Sequence, residues 1–225
     1  AQFAFSPDGK ELVVESKRVK DEALSTNNDL FLVPLDAQPA EAKNLTAQNG
    51  AFDGSPEYSP DGRYLAYRVQ ALPGYESDLF RLALYDRQTG TSRVLTESFR
   101  NWIDDFQWTA DSKAIVFQAQ VEGVTPLYRL AAASGAVPKV LEHATIDHFE
   151  LLDGGKQALY TSRSVGRPVE MYRATLGAGT APTQLSTLND ALVAEVDIRP
   201  AEAMWVEASD GAKIHVFVVK PHGFD

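Results

Sequence analysis

The chain has 225 residues, of which 44% are hydrophobic and 10% aromatic, with a formal net charge of -10 and no cysteine. The acidic balance argues against nucleic acid or an anionic lipid surface as a partner. The lack of cysteine excludes a disulfide framework, a cysteine nucleophile and a thiolate metal site. No apolar run approaches the ~18 residues that a membrane-spanning helix needs.

A short turn motif recurs four times along the chain. Its copies are Ser-Pro-Asp-Gly in the first two cases and degraded versions in the last two, at residues 5–10, 58–63, 108–113 and 151–156. Proline presets φ, serine can cap the turn, and glycine suits the fourth position of a type I turn. The copies recur at roughly 40–55 residues, a period typical of propeller blades.

Each turn is predicted to join two strands of alternating apolar and polar residues, and two further strands follow in every repeat. The predicted third strands are 29–36, 78–86, 126–135 and 169–177, and the short fourth strands are 43–46, 93–96, 139–142 and 183–186. Four strands and a return to an aromatic-rich first strand are the plan of a propeller blade. A β-sandwich would not need to repeat in sets of four.

The predicted fold is therefore all-β, a β-propeller section of about four four-stranded blades. The predicted blade limits are about 1–47, 48–97, 98–143 and 144–190. We expect the chain to begin within the innermost strand of a blade, and the four blades to be a section of a larger ring.

The last part of the chain lacks the repeat. Two strands are predicted at 203–208 and 213–221, joined through Ser209, Asp210 and Gly211 as a β-hairpin. We interpret 191–225 as a linker and the first strands of a different domain.

The turns, the segment 53–90 and the tail 202–225 together resemble the propeller of prolyl oligopeptidase-type serine peptidases, in the acylaminoacyl peptidase and dipeptidyl aminopeptidase branch. The turns alone are shared with TolB-like propellers. The resemblance implies a seven-bladed propeller covering a C-terminal α/β-hydrolase domain with a Ser-Asp-His triad, with the hairpin leading into that domain. It implies short peptides as substrates, with the propeller gating access and lining the substrate pocket, and no cofactor.

The 225 residues contain no Gly-x-Ser-x-Gly nucleophile motif, so no catalytic residue is assigned. The chain alone is expected to hydrolyse no peptide. The alternative function is a TolB-like propeller acting as a protein-interaction module without an enzyme. The resemblance favours a periplasmic or secreted protein and leaves a cytoplasmic one open.

Acidic residues cluster near the start of the predicted innermost strands, which line the channel of a propeller. They are Asp53, Asp104, Asp105 and Asp147. The resemblance implies that such residues can bind the ammonium group of a peptide. The interpretation that we favour is that they cap turns and solvate the channel rim.

Trp102 lies beside this cluster and either lines the channel or packs between blades. Tyr75 and Glu76, in the loop 70–77, and the long insertion 17–29 are candidates for contact with a substrate or partner. His143 and His148 are five residues apart and do not match a helical metal pair, so no metal site is expected.

Overall fold

A computed structural model describes residues 2–36, 41–133, 137–142, 145–179 and 181–224. The chain forms two compact units. Residues 1–119 and 127–139 make up the first, and residues 120–126 and 140–225 the second. None of the helices in the described ranges is both long enough and apolar enough to cross a membrane.

Within the described residues, four sheets of four strands each follow one another along the chain, and the strands of each sheet pair in chain order. Each sheet uses four consecutive strands, which is the arrangement of propeller blades and confirms the predicted fold class. The strands are β1 Phe3–Phe5, β2 Glu11–Ser16, β3 Asp29–Pro34, β4 Lys43–Asn44, β5 Asp53–Tyr58, β6 Tyr64–Val69, β7 Arg81–Asp86, β8 Thr91–Val94, β9 Ile103–Trp108, β10 Ala114–Ala119, β11 Leu127–Ala131, β12 Lys139–Leu141, β13 Ile146–Leu152, β14 Gln157–Ser164, β15 Arg167–Thr175 and β16 Thr183–Gln184.

The first three repeat turns share one hydrogen-bond circuit. The hydroxyl of the first turn residue donates to the aspartate two residues on, at 2.7 Å for Ser6–Asp8, 2.6 Å for Ser59–Asp61 and 2.7 Å for Thr109–Asp111. Each aspartate also accepts from the backbone N–H of the following basic residue. These donors, the hydroxyl first, lower the pKa of all three aspartates. The aspartate is thus the centre of the turn.

The fourth turn reaches the same hairpin by a different route. Leucine and glycine replace the serine and aspartate of the circuit, and the turn instead holds Asp153, Gly154 and Gly155 at φ of 50°, 67° and 96°. Glycine adopts positive φ without steric cost. Strands β13 and β14 still pair, with Leu152 opposite Gln157.

The core of the first unit lies between neighbouring sheets. Leu65 and Tyr67 pack against the first sheet, on Val13 and Leu30, whereas Ala66 faces the cluster around Phe117 of the third sheet. Successive side chains of a strand point to opposite faces. The second sheet is therefore buried on both faces, which explains why the central residues of β6 and β7, 65–67 and 82–84, are all apolar or aromatic.

Ser112 occupies the position that Gly9 and Gly62 hold in the first two turns, and its φ is 59°. Its hydroxyl compensates for this conformation by accepting a 2.9 Å hydrogen bond from the backbone N–H of Asp61 in the second sheet. We expect Ser112→Ala to lower the free energy of unfolding by about 1 kcal/mol, because it keeps the positive φ and loses the bond. Ser112→Gly should cost less, because it also relieves the backbone.

Urea unfolding of the two variants and the parent protein measures both values. An equal or larger loss for Ser112→Gly would contradict this account of the turn.

In the second unit, Glu170 of β15 anchors the segment that follows β16. Its carboxylate accepts from the Ser186 hydroxyl, from the backbone N–H of Leu188 at 3.2 Å, and from the backbone N–H of Asn189 at 2.8 Å. These donors, the Ser186 hydroxyl first, lower the pKa of Glu170 to about 2. A short helix α1, Asp190–Glu195, begins directly after this anchor; the sequence had predicted only a linker there.

The predicted hairpin is present as β17 Glu202–Glu207 and β18 Lys213–Val218. Its turn places Gly211 at φ 83°. The pair Trp205–His215 stacks at 4.5 Å between ring centroids. The hairpin leaves many large apolar side chains exposed by 37–54%: Met204, Trp205, Val206, Ile214, Phe217 and Val218.

Candidate functional site

A half-buried guanidinium, that of Arg68, organises the edge of the first unit where the first strands of the second and third sheets begin. Arg68 of β6 donates from Nε to the Ser55 hydroxyl at 3.0 Å and from Nη1 to the backbone carbonyl of Asp104 at 2.6 Å. The guanidinium also lies over the Phe80 ring, 4.5 Å from its centroid. Burial lowers the pKa of Arg68, and nearby carboxylates oppose that shift. Arginine remains charged in proteins, so Arg68 holds β9 with a fixed positive charge.

A β-bulge prepares the position of Ser55. The pairing of β5 with β6 shifts register between Gly54 and Glu57, and Ser55 has a φ of 54°. Glu15 of the first sheet accepts a 2.9 Å hydrogen bond from the Ser55 backbone N–H. A Cβ atom at Gly54 would lie 2.5 Å from the Glu15 carboxylate, so only glycine allows this approach.

Trp102 belongs to a row of aromatic rings at this edge. It meets Phe80 edge to face at 4.8 Å, and Phe80 meets Phe52 in the same way at 5.0 Å. Such contacts add stability beyond the area they bury. Trp102 therefore packs, and it keeps a partly exposed surface.

Asp104 and Asp105 both lie in β9 and are half-buried. They form a bulge of β9, because Phe106 pairs with Phe117 of β10 and Ile103 pairs with Ala119, which leaves two residues of β9 opposite one residue of β10. Gln118 is the residue of β10 that faces this bulge, and among the described residues its buried Oε1 atom has no hydrogen-bond partner. An acceptor left without a partner in a buried position is costly, and this one lies next to the two carboxylates in the sheet register.

Asp53 differs from Asp104 and Asp105 in its burial. It is 1% exposed and accepts a 3.0 Å hydrogen bond from the Asn49 side chain. Burial, with a smaller contribution from Asp29, raises the pKa of Asp53 to about 8. The interpretation of Asp53 as a solvated residue of a channel rim is therefore wrong, since the surrounding strands exclude water from it.

Asp53 should make stability depend on pH. Its pKa is about 8 when folded and near 3.8 when unfolded, so the folded state binds more protons between these values and stability falls as pH rises through this window. The Asp53→Asn variant has no titratable side chain at this position. We expect the free energy of unfolding of the parent, relative to Asp53→Asn, to drop by at least about 1 kcal/mol from pH 6 to pH 9.

Chemical denaturation of both proteins at several pH values measures this difference. Parallel pH profiles for the two proteins would show that Asp53 is ionised throughout and would contradict the prediction.

The two loops that the sequence singled out lie together. The backbone N–H of Gly74, in the loop with Tyr75 and Glu76, donates at 2.9 Å to the Thr26 hydroxyl of the insertion 17–29. Gln70 and Asp78 close the base of the loop, the first by donating to the backbone carbonyl of Glu76 at 3.1 Å. Tyr75 is 55% exposed. The hydrogen bond between Gly74 and Thr26 thus joins the two loops on the first unit.

Asp147 lies in β13 of the second unit, where it pairs with Arg163 at 3.1 Å. His148, the next residue, lies 3.4 Å from a Glu150 oxygen. His143 lies outside the described residues. Within the ranges that the structure describes, no three His, Cys, Asp or Glu side chains lie close enough to hold a metal ion.

Arg68 and Glu15 were not predicted from the sequence as residues of this site. Both occupy the fifth position after the repeat turn, within the second strand, and the third and fourth copies have Gln118 and Thr161 there. A polar residue that directly follows three apolar or aromatic residues at the same position of all four second strands was the signal that could have identified them.

Curated proteins are similar to this chain along nearly its whole length. Dipeptidyl-peptidase 5 of Porphyromonas gingivalis is 29% identical over 225 residues, covering 99% of this chain and 32% of the relative. Dipeptidyl-peptidase 5 of Porphyromonas endodontalis is 32% identical over 228 residues, covering 100% of this chain and 32% of the relative. The chain thus spans about a third of the length of these curated relatives. No family model matches the sequence.

Solved structures share the fold. The acylaminoacyl peptidase of Pyrococcus horikoshii superposes with a TM-score of 0.74 at 16% identity, over 98% of this chain and 32% of that protein. TolB from Acinetobacter baumannii superposes with a TM-score of 0.59 at 20% identity, over 96% of this chain and 49% of that protein.

The repeated four-stranded sheets and these superpositions define the chain as a β-propeller section. Together with the dipeptidyl-peptidase 5 relatives, they confirm the predicted resemblance: the chain is similar to the propeller portion of peptidases of the prolyl oligopeptidase family.

Proposed function

We propose that this chain is the non-catalytic propeller portion of a longer serine peptidase that cleaves short peptides, of dipeptidyl or acylaminoacyl type. In this proposal the propeller limits access to a catalytic α/β-hydrolase domain of the same protein and lines part of its substrate pocket. The observation that carries the proposal is the similarity of the whole chain to about a third of each dipeptidyl-peptidase 5 relative.

Exposed aromatic residues of the first sheet support a larger ring of blades. The aromatic residue before the turn contacts the preceding sheet in the second and third repeats: the Tyr58 hydroxyl donates to Glu11 at 2.8 Å, and Trp108 Nε1 donates to the carbonyl of Glu57 at 3.2 Å. Phe5, at the same position of the first repeat, is 59% exposed. A further blade packed on Phe5 would complete the pattern.

The hairpin supports a docked catalytic domain. Paired residues such as Ala203 and Phe217 share one face, and Met204 and Val216 share the other. Large apolar side chains are exposed on both faces. A contiguous apolar surface of this kind is typical of an interface.

For the substrate pocket, we propose that Asp104 and Asp105 receive the ammonium group of the peptide. Charge-assisted hydrogen bonds to carboxylates are short and strong. Gln118, which lies opposite them on β10, offers a further acceptor. Arg68 is a positioning residue, because its bond to the Asp104 carbonyl fixes the backbone that carries both acids.

A protein-interaction module is the second candidate function. The observation that favours it is the superposition on TolB, which is a similarity of fold. Reading the natural gene beyond Asp225 separates the two candidates. The peptidase requires a downstream Gly-x-Ser-x-Gly, with triad Asp and His residues following it. A reading frame that closes within a few codons would contradict the peptidase and favour the module.

A further inference from the structure

Asn49 and Gly50 form the single Asn-Gly pair in the chain, and they lie where the first and second sheets meet. We call this junction the seam. In the seam, Asn28 bridges Phe52, and the backbone N–H of Asp53 donates to the Asn28 carbonyl at 2.7 Å. The seam thus joins the end of the insertion loop to the start of β5.

Both polar atoms of the Asn49 side chain, Nδ2 and Oδ1, form hydrogen bonds within the seam. Nδ2 donates to the buried Asp53 carboxyl at 3.0 Å and to the backbone carbonyl of Gln70 at 2.9 Å. Oδ1 accepts from the backbone N–H of Ala51 at 3.2 Å. The two donor hydrogens meet two acceptors, so no acidic group could replace this amide without facing oxygen atoms.

Asparagine followed by glycine is chemically labile, because the small glycine leaves its nitrogen free to react. The Gly50 nitrogen loses its proton and attacks Asn49 Cγ, a new C–N bond forms, and the Cγ–Nδ2 bond breaks as ammonia leaves with the proton. Water then opens the resulting five-membered imide at either carbonyl. The products carry a carboxylate at position 49, with a normal or an isoaspartyl backbone.

We propose that Asn49 is a deamidation site that the closed seam protects, and that its conversion prevents the seam from closing again. In the closed seam Asp53 and Gln70 hold the departing amide nitrogen, and the Ala51 N–H holds the side-chain oxygen, so the Asn49 side chain has one fixed orientation. Local opening frees all three contacts. After conversion, the new carboxylate has no hydrogen to donate to the Gln70 carbonyl, and it places a second ionisable carboxyl against the Asp53 carboxyl.

The test incubates the full natural protein at pH 8 and 37 °C, folded and in urea, and follows the isoaspartyl content of the peptide around residue 49 by mass spectrometry. We expect conversion to be at least about tenfold slower in the folded protein, because it requires opening. Gly50→Ala is the matched control. Its φ is not positive, and the added Cβ lies 3.4 Å from Pro73 Cγ, an ordinary contact. This variant should fold normally and convert more slowly in urea.

A second measurement tests the consequence. Asn49→Asp should lower the folding equilibrium constant by about 30-fold, from lost hydrogen bonds and a charge placed beside Asp53. If Asn49→Asp is not recovered in soluble form, the aged parent protein gives the same readout, as a converted fraction that refolds poorly from urea. Equal conversion rates in the folded and unfolded protein, or a converted protein that refolds as the parent does, would overturn the proposal.

Discussion

Replacing Asp104 and Asp105 together by asparagine in the full-length protein is expected to raise KM for a dipeptide amide with a free amino terminus by about 10–100-fold. The two acids are half-buried in β9, and Arg68 fixes the backbone that carries them. Removing their charge removes the attraction for an ammonium group. The loss should fall on KM more than on kcat, because the amino terminus is not the reacting group.

Two controls isolate the ammonium. The same peptide with an acetylated amino terminus should be hydrolysed equally by parent and variant. Glu97→Gln removes one exposed negative charge elsewhere on the surface and should leave KM unchanged. If the double substitution impairs hydrolysis of the free and the acetylated peptide equally, the two acids act on stability or shape, and the assignment of an ammonium site is wrong.

The second large effect concerns the core between the second and third sheets. Phe117 is 0% exposed, stacks on Tyr128 at 5.4 Å between centroids and meets Phe99 edge to face at the same distance. Phe117→Ala should lower the free energy of unfolding by about 3–5 kcal/mol, because it leaves a cavity that these two rings cannot fill. Leu24→Ala is the matched surface control, since Leu24 is 87% exposed.

Thermal or urea unfolding measures both variants. A loss at Phe117 no larger than that at Leu24 would mean that the third sheet is loosely packed, contrary to the core described here. Because both residues are apolar, neither variant changes the charge of the candidate site.

Much of the fold could be predicted because the chain contains four repeats that form the same local structure. The turn residues, the apolar alternation and the third and fourth strands all follow from short-range chemistry. The aspartate at the centre of the first three turns was not identified as such, because proline and glycine already account for a turn of this type. The fourth turn shows that different residues, Gly154 and Gly155, can close the same hairpin.

The candidate site was predictable only in part. Asp104, Asp105 and Trp102 were found as a charged and aromatic group at a strand start. The sequence could not distinguish them from Asp53, which has the same residue type at the same kind of position. What separates Asp53 is its burial against Asn49 and Asp29, a contact between two repeats. Arg68 was missed because its partners, Ser55 and Asp104, lie on two other strands.

Hydrolysis by the full-length protein tests the proposed function most directly. The purified protein should release a chromogenic amine from dipeptide amides, and a serine-directed phosphonate should abolish the release while labelling one serine outside residues 1–225. It should leave folded proteins uncut. A full-length protein that neither reacts with the phosphonate nor hydrolyses any dipeptide or acylated amino-acid amide would contradict the assignment of this chain to a peptidase.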